Sequence, residues 1–459
     1  MSAPDSRQLP TGDADQLRYR RSEALRAAAH RLIPGGAHTY SKGDDQFPVL
    51  SPGFMVRGKG CHAWDVDGNE FIEYGMGLRS VTLGHAYAPV IEAAQRQMQL
   101  GANFTRPSPL EAECAEALLN LTRGGEMAKF TKDGSTATSA AIRLARAYTG
   151  RDLVGLCIDH PFFSYDDWAI AVTPMRAGIP HAVQDLTLGF RYNAVASVQA
   201  LFDRHPDRIA GLIMEPAKDR DPENDFLHGV RDLCHRNGAV FILDEMITGF
   251  RWPEITGQRL YDVEPDLSIF GKGIANGFAL AALVGKREIM KLGGLDHDRE
   301  RAFILSTTHG AETHALAAAL AVIDIYRREP VVEVLDRQGQ RLTRGVNQMI
   351  DRHGLGGHFE VLGRPSNLVY AARDDEKKPS QLFRTLFMQE TIRRGLMLPS
   401  LVVSYSHTDD DVDTTIEAIG GALGVYRQAL ENGIENYLVG RPVQPVFQKY
   451  GERRHPPER

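Results

Sequence analysis

A lysine set between two glycines, Gly271-Lys272-Gly273, closes the apolar run LSIF in LSIFGKGIANGFALAALVGK. Glycines on both sides let the backbone approach a planar ligand, and a lysine among apolar strands is costly unless it is neutralised or covalently used. Taken alone, the tripeptide is better read as a lysine whose stem reaches to water. A second signal is FILDEMITGFR, where the run from Val240 to Leu243 ends in two carboxylates, Asp244 and Glu245. Ligands of open α/β sheets sit beyond the carboxyl ends of strands, which is where these acids fall. Capping of the next turn explains Asp244 equally well.

A third signal is Asp133-Gly134-Ser135-Thr136, just ahead of a helical run in FTKDGSTATSAAIRLARAYTGRD. Unpaired N–H groups and the positive end of the dipole make a helix start a natural phosphate site. Capping alone accounts for a hydroxyl there as well. The order of the three is more informative than any one of them: phosphate-type turn, acidic strand end, lysine strand end. A phosphate needs the helix start, a pyridine nitrogen needs a carboxylate to stay protonated, and an aldehyde needs an amine. Together they fit pyridoxal 5′-phosphate (PLP), with Lys272 as the Schiff-base lysine.

These side chains must be positioned by an α/β framework. From about Ser108, helical stretches such as Leu110 to Leu121 and Thr136 to Tyr148 alternate with short apolar runs. The runs are Leu153 to Ile158, Ile209 to Met214, Val240 to Leu243, Leu267 to Phe270 and Leu280 to Val284. Such alternation predicts crossover connections and a mostly parallel sheet covered on both faces. Before it, Gln16 to Leu32 has the spacing of an amphipathic helix, and AWDVDGNEFIEY predicts a hairpin about Asp67-Gly68. After it come one long helical stretch, about Thr313 to Ile350, and short runs at Phe359 to Leu362, Asn367 to Ala372 and Leu401 to Val403. The expected division is a loose tail 1–15, an N-terminal helix and β segment 16–107, a large domain 108–350, a smaller α+β part 351–440 and a surface extension 441–459.

The chain has 459 residues, 42% hydrophobic and 24% charged, which is enough for a large core and more than one domain. Its net charge of -6 gives no electrostatic reason to expect nucleic acid or an acidic membrane surface as partner. Cys61, Cys114, Cys157 and Cys234 lie too far apart for a zinc knuckle or redox dithiol, so buried reduced thiols and no metal are expected. The N-terminus lacks a secretory apolar stretch and no segment is apolar enough to span a bilayer, so a cytoplasmic address is expected.

The chain resembles the class III, fold-type I aminotransferases, and within them the glutamate-1-semialdehyde aminomutase-like group. The likeness runs from Ile33-Pro34-Gly35-Gly36-Ala37 to the Ser404-Tyr405-Ser406-His407-Thr408-Asp409 region. It is carried by WDVDGNEFIEY with Leu83-Gly84-His85, by RLARAYTGRD, and by DEMITGFR. The resemblance implies a seven-stranded, mostly parallel sheet in the large domain and a smaller α+β domain built from both chain ends. It assigns Lys272 to the internal aldimine, Asp244 to the pyridine N–H, and Gly134 and Ser135, with the backbone of Thr136, to the phosphate. Thr308 resembles the threonine that reaches the cofactor of the neighbouring subunit, which implies a homodimer, with Thr307 as the fallback register. Phe162 takes the place of the tyrosine that stacks on the cofactor, and the family's next histidine is absent from Pro161-Phe162-Phe163-Ser164-Tyr165. Glu215 matches a Glu-Pro strand end lining the site, and Met246 replaces a small aliphatic residue under the other ring face.

Departures from the pattern bear on substrate. Lys42 stands at or near the aminomutase's carboxylate-binding arginine, and a point charge cannot reproduce a bidentate grip. Leu78-Arg79 replaces a tryptophan, and Arg79 offers a second way to hold an acid group. Lys42, Arg79 and Phe163 are therefore the candidate substrate residues. The expected activity is transfer of an amino group from an amino acid such as glutamate to a carbonyl acceptor. A true aminomutase is the alternative, and a catalytically silent PLP-binding homologue a third.

Overall fold

The computed structural model describes residues 18–160 and 162–447, so the expected tail 1–15, Pro161 and the end of the C-terminal extension lie outside the described residues. A helix, Arg20–Leu32, leads into β1 (Met55–Lys59), β2 (His62–Asp65) and β3 (Glu70–Glu73), which pair antiparallel in that order. The hairpin expected at Asp67-Gly68 joins β2 to β3, and Gly68 takes the left-handed φ of 91° that such a turn favours.

The central sheet is formed by β4 (Met127–Thr131), β5 (Leu153–Cys157), β6 (Thr187–Phe190), β7 (Ile209–Met214), β8 (Val240–Asp244), β9 (Leu267–Phe270) and β10 (Ala281–Gly285). Its order is β4-β10-β9-β8-β7-β5-β6, parallel except that β10 runs antiparallel to both neighbours. Each apolar run read in the sequence is a strand within one residue of its expected ends, and all five are buried along their whole length. The two strands not foreseen, β4 and β6, lie at the sheet edges, where mixed sequences such as MAKFT carry no apolar run. The helix Gly134–Thr149 lies across β7 to β10 on alanines, Ala137, Ala140, Ala141 and Ala145, and stops at Gly150 with a left-handed φ of 68°.

The single long helix expected from Thr313 is two, Thr313–Arg328 and Val331–Arg352, because Pro330 between them cannot donate a helical hydrogen bond. β11 (Phe359–Leu362) and β12 (Val369–Ala372) pair antiparallel. Leu401 to Val403 is not the expected strand: Leu401 makes one isolated bridge to Leu368. Instead β13 (Leu396–Met397) joins β3 in parallel, so both chain ends build one four-stranded sheet. The helix Asp409–Asn432 is tied to this sheet through Asp411. Its carboxylate accepts from Thr408 in a capping box, from the Cys61 thiol at 3.3 Å, and faces His62 Nε2 at 3.1 Å. The C-terminal extension also departs from expectation, since Val443 is buried at 3% exposure rather than lying on the surface. All four cysteines are free and buried. Among the described residues no helix is long and apolar enough to cross a membrane.

Candidate active site

β9 delivers Lys272 on a short turn. Gly271 continues extended, and Lys272 itself adopts a left-handed φ of 44° at the start of the 3-10 turn Lys272–Ala275. A side chain in that region costs about 1 kcal/mol or more, so something must hold it. Asn276 does so: its Oδ1 accepts from Leu83 N at 2.9 Å and its Nδ2 donates to Gly84 O at 3.0 Å. The Leu83-Gly84 segment therefore braces the lysine turn. Lys272 is half-buried, and burial pulls its pKa below the ordinary lysine value. Asp244 and Glu215 oppose that shift, while Arg79 and Arg251 add to it.

The two acids at the end of β8 part company. Glu245 is consumed by structure, accepting from Gly257 N at 2.9 Å, Gln258 N at 2.7 Å and the Thr248 hydroxyl. It closes the loop that follows. Asp244, 3% exposed, accepts one hydrogen bond among the described residues, from Met246 N to Oδ1 at 2.9 Å. Burial, and then repulsion from Glu215, lifts its pKa from 3.8 to about 7 against the pull of Lys272. Glu215, one residue beyond β7 and 5% exposed, keeps a buried Oε2 with no partner among the described residues. Burial raises its pKa, while Lys218, Lys272 and Arg79 lower it.

The start of the helix Gly134–Thr149 is capped by Asp133, whose Oδ1 accepts from Thr136 N at 2.9 Å and from Thr136 Oγ1 at 3.1 Å. The backbone N–H of Thr136 is thus already committed, a correction to its expected part in phosphate binding. Gly134 and Ser135 carry the first N–H groups of the helix, which have no partner among the described residues. Ser135 Oγ accepts from Tyr165 N at 3.2 Å, which leaves the hydroxyl proton to give. Met246 joins this turn to the lysine turn. A Cβ at Gly134 would meet its Cε at 2.6 Å, and one at Gly271 would meet both Cε and Sδ at 2.5 Å. Both glycines are needed for the thioether to lie between the two turns.

The remaining candidates divide. Arg79, half-buried, donates from Nε to Asn367 Oδ1 at 2.8 Å and acts electrostatically on Lys272 and Glu215. It ends a run of four consecutive left-handed residues, Met76 to Arg79, with φ between 42° and 71°. Lys42 is exposed and lines a cavity of about 630 Å³ between the first helix and β1, together with Gly77 and Leu78 but without Lys272 or Asp244. Phe162 is 51% exposed. Phe163 is buried in the same apolar cluster as Ala137, Ala140 and Ala141, and its carbonyl accepts from Thr138 Oγ1 at 2.9 Å. It faces away from solvent, contrary to what direct substrate contact would require. Thr308 is exposed, and its carbonyl accepts from Asn103 Nδ2 at 2.9 Å.

Three residues were not singled out from sequence. Arg251 is buried without a carboxylate partner among the described residues, donating to Arg79 O at 2.9 Å and Ser366 O at 3.4 Å, and burial lowers its pKa to about 10. His160 accepts from Glu215 N on Nδ1 at 3.2 Å, and burial holds its pKa down at about 3. Asn276 is the third. Arg251 closes DEMITGFR and was legible there as a motif member; His160 and Asn276 carry no local signal.

A phosphorylated pyridine aldehyde suits what these residues leave open. Unpaired amides and a hydroxyl stand at the helix start, Asp244 has acceptor capacity to spare, and the orphaned Glu215 Oε2 lacks a polar partner. The glycines at 134 and 271 keep side-chain bulk out between the turns. Comparison with known proteins agrees. The family model Aminotransferase class-III matches residues 40–363. A 3-aminobutyryl-CoA aminotransferase from Cloacimonas acidaminovorans is 30% identical over 427 residues, covering 91% of this chain and 100% of that protein. A glutamate-1-semialdehyde 2,1-aminomutase from Desulforamulus reducens is 30% identical over 434 residues, covering 90% and 98%. Among solved structures, the PLP internal aldimine form of the Sphingopyxis sp. MTA144 FumI protein superposes with a TM-score of 0.82 at 28% identity, covering 90% of this chain and 98% of that one. The chain therefore belongs to the class-III aminotransferases, a PLP-dependent family of fold type I.

Proposed function

We propose that this class-III enzyme moves an amino group from an amino acid donor, glutamate, to a separate carbonyl acceptor in a biosynthetic route. One observation carries the reading. Lys272, Asp244 and Glu215 form a single electrostatic cluster with two cations, Arg79 and Arg251, neither of which is paired to a carboxylate by hydrogen bond among the described residues. An acid substrate entering there meets a positive field beside the reactive amine.

In this reading Lys272 holds the cofactor covalently, and the helix start at Gly134 and Ser135 takes its phosphate. Asp244 keeps the ring nitrogen protonated, Phe162 and Met246 cover the two ring faces, and Glu215 lines the site. PLP supplies an electron sink for the charge that develops on the substrate carbon. With cofactor and donor bound, Lys272 Nζ would take the proton from the amino-bearing carbon and hold it for return in the second half of the transfer. The lowered lysine pKa supports that role, because a neutral amine is the competent base. Arg79 holds the substrate's acid group, Lys42 stands at the entrance, and Phe163 acts from beneath by packing. The same reading takes 108–350 as the cofactor domain and 16–107 with 351–440 as the smaller one. It pairs two chains in a homodimer in which Thr308 reaches the neighbouring phosphate. Four free cysteines suit a reducing, cytoplasmic setting.

The aminomutase alternative is supported by relatives of that name at 30% identity. Half-reactions separate the two. With L-glutamate, the proposed transaminase releases 2-oxoglutarate as the cofactor passes to its amine form. An enzyme that instead converts glutamate-1-semialdehyde to 5-aminolevulinate with no net keto acid overturns the proposal.

A further inference from the structure

The last described residues do not trail into solvent. After Gly440, which has a left-handed φ of 78°, Arg441 donates from its guanidinium to the carbonyls of Asp44 and Phe47. Val443 N donates to Thr385 Oγ1 at 2.9 Å, Gln444 N donates to Asp45 O at 2.8 Å, and Gln46 Nε2 donates back to Gln444 O at 2.9 Å. These bonds fasten residues 441–444 to the turn that follows Lys42 and to the helix Gln381–Arg393. Three residues on, the ring of Phe447 lies 6.2 Å from that of Phe162, tilted by 31°. One strap thus spans from the Lys42 segment to the aromatic residue read as covering the cofactor.

We infer that the strap 441–447 is a wall of the active-site mouth and that Phe447 is a specificity-determining residue, setting how bulky a substrate can lie beside Phe162. This rests on the reading that Lys272 holds the cofactor and that Phe162 covers it. A buried Val443 and paired backbone on 443 and 444 fix the strap's base, so the ring at 447 is presented from an anchored stem. The aromatic pair excludes water from the mouth and narrows it, without taking part in proton transfer.

The test needs no known substrate. Two nucleophiles of different bulk, hydroxylamine and O-benzylhydroxylamine, capture the Lys272-bound aldehyde of the holoenzyme, and each rate is read from loss of the visible cofactor band. Phe447→Ala is expected to speed the benzyl reagent roughly 2- to 10-fold, the range of an aromatic pair, while the small reagent changes less than about twofold. Phe447→Trp is expected to slow the benzyl reagent selectively, and Arg441→Ala, which frees the strap's base, to act like Phe447→Ala. Equal acceleration of both reagents would mean a merely structural role and overturns the inference, as does an unchanged rate ratio in all three variants. Failure of the underlying reading looks different: a wild-type band that persists in Lys272→Ala removes the site itself, and the inference with it.

Discussion

Replacing Asp244 with Asn should make the cofactor-free protein more stable and the holoenzyme worse. In the folded chain burial and Glu215 move this carboxyl from 3.8 to about 7. Below about pH 3 it is protonated in both folded and unfolded states and contributes no difference. As pH rises from there to about 7, the unfolded chain ionises the group and the folded chain does not, so folding loses stability, and the loss levels off above about 7. At about 1.4 kcal/mol per tenfold change in proton affinity, the move from 3.8 to about 7 corresponds to about 4 kcal/mol near pH 8 and about 2 near pH 5. Asparagine still accepts the Met246 N–H but cannot ionise. Urea unfolding of both cofactor-free proteins should show Asp244→Asn ahead by a margin that widens by about 2 kcal/mol between pH 5 and pH 8. The same variant should bind PLP roughly 10- to 100-fold more weakly by titration of the visible band, having lost a charged partner for the ring nitrogen. A margin that stays constant or reverses with pH refutes the reasoning.

Lys272→Ala should abolish both the visible band of bound cofactor and any amino transfer from L-glutamate, measured by absorbance and keto-acid release. Ser135→Ala removes one hydroxyl donor at the helix start and should raise the dissociation constant for PLP roughly tenfold, by fluorescence titration, with little change in melting temperature. Gly339→Ala is a purely structural probe. In the helix Val331–Arg352 its new Cβ would sit 1.9 Å from Pro365 O, and thermal unfolding should show a loss of about 3 kcal/mol or more.

Much of the framework was legible because buried parallel strands write themselves as continuous apolar runs, and β7 and β9 match their expected bounds residue for residue. The edge strands β4 and β6 were not legible for the converse reason, since an edge tolerates Lys129 or Gly189 without an apolar run. The pair Leu396 and Met397 is too short to announce itself and becomes a strand only because β3 lies alongside. At the site, sequence order singled out Lys272, Asp244 and the turn at Gly134 as candidates. It could not tell that Glu245 is spent on the backbone of Gly257 and Gln258 while Asp244 is left available. Nor could it tell that Phe163 points into the core. Those outcomes depend on loop paths, and so does the return of the tail past Asp44, which proline and basic residues had suggested would be a loose surface segment.

The antiparallel insertion of β10 between β4 and β9 has a bearing on how such an enzyme can diversify. The ten residues 271–280 join two adjacent strands of opposite direction, so the lysine sits on a connection clamped at both ends by ladders. By contrast, 29 residues, 158–186, separate β5 from β6 and carry Phe162 on the way. Insertions and deletions are absorbed by the long excursion and refused by the short one, where a single added residue would shift the register of β10 against β4 as well. Variation in substrate can therefore accumulate around an amine whose position is fixed by the sheet, and library design should randomise the former segment and leave the latter untouched.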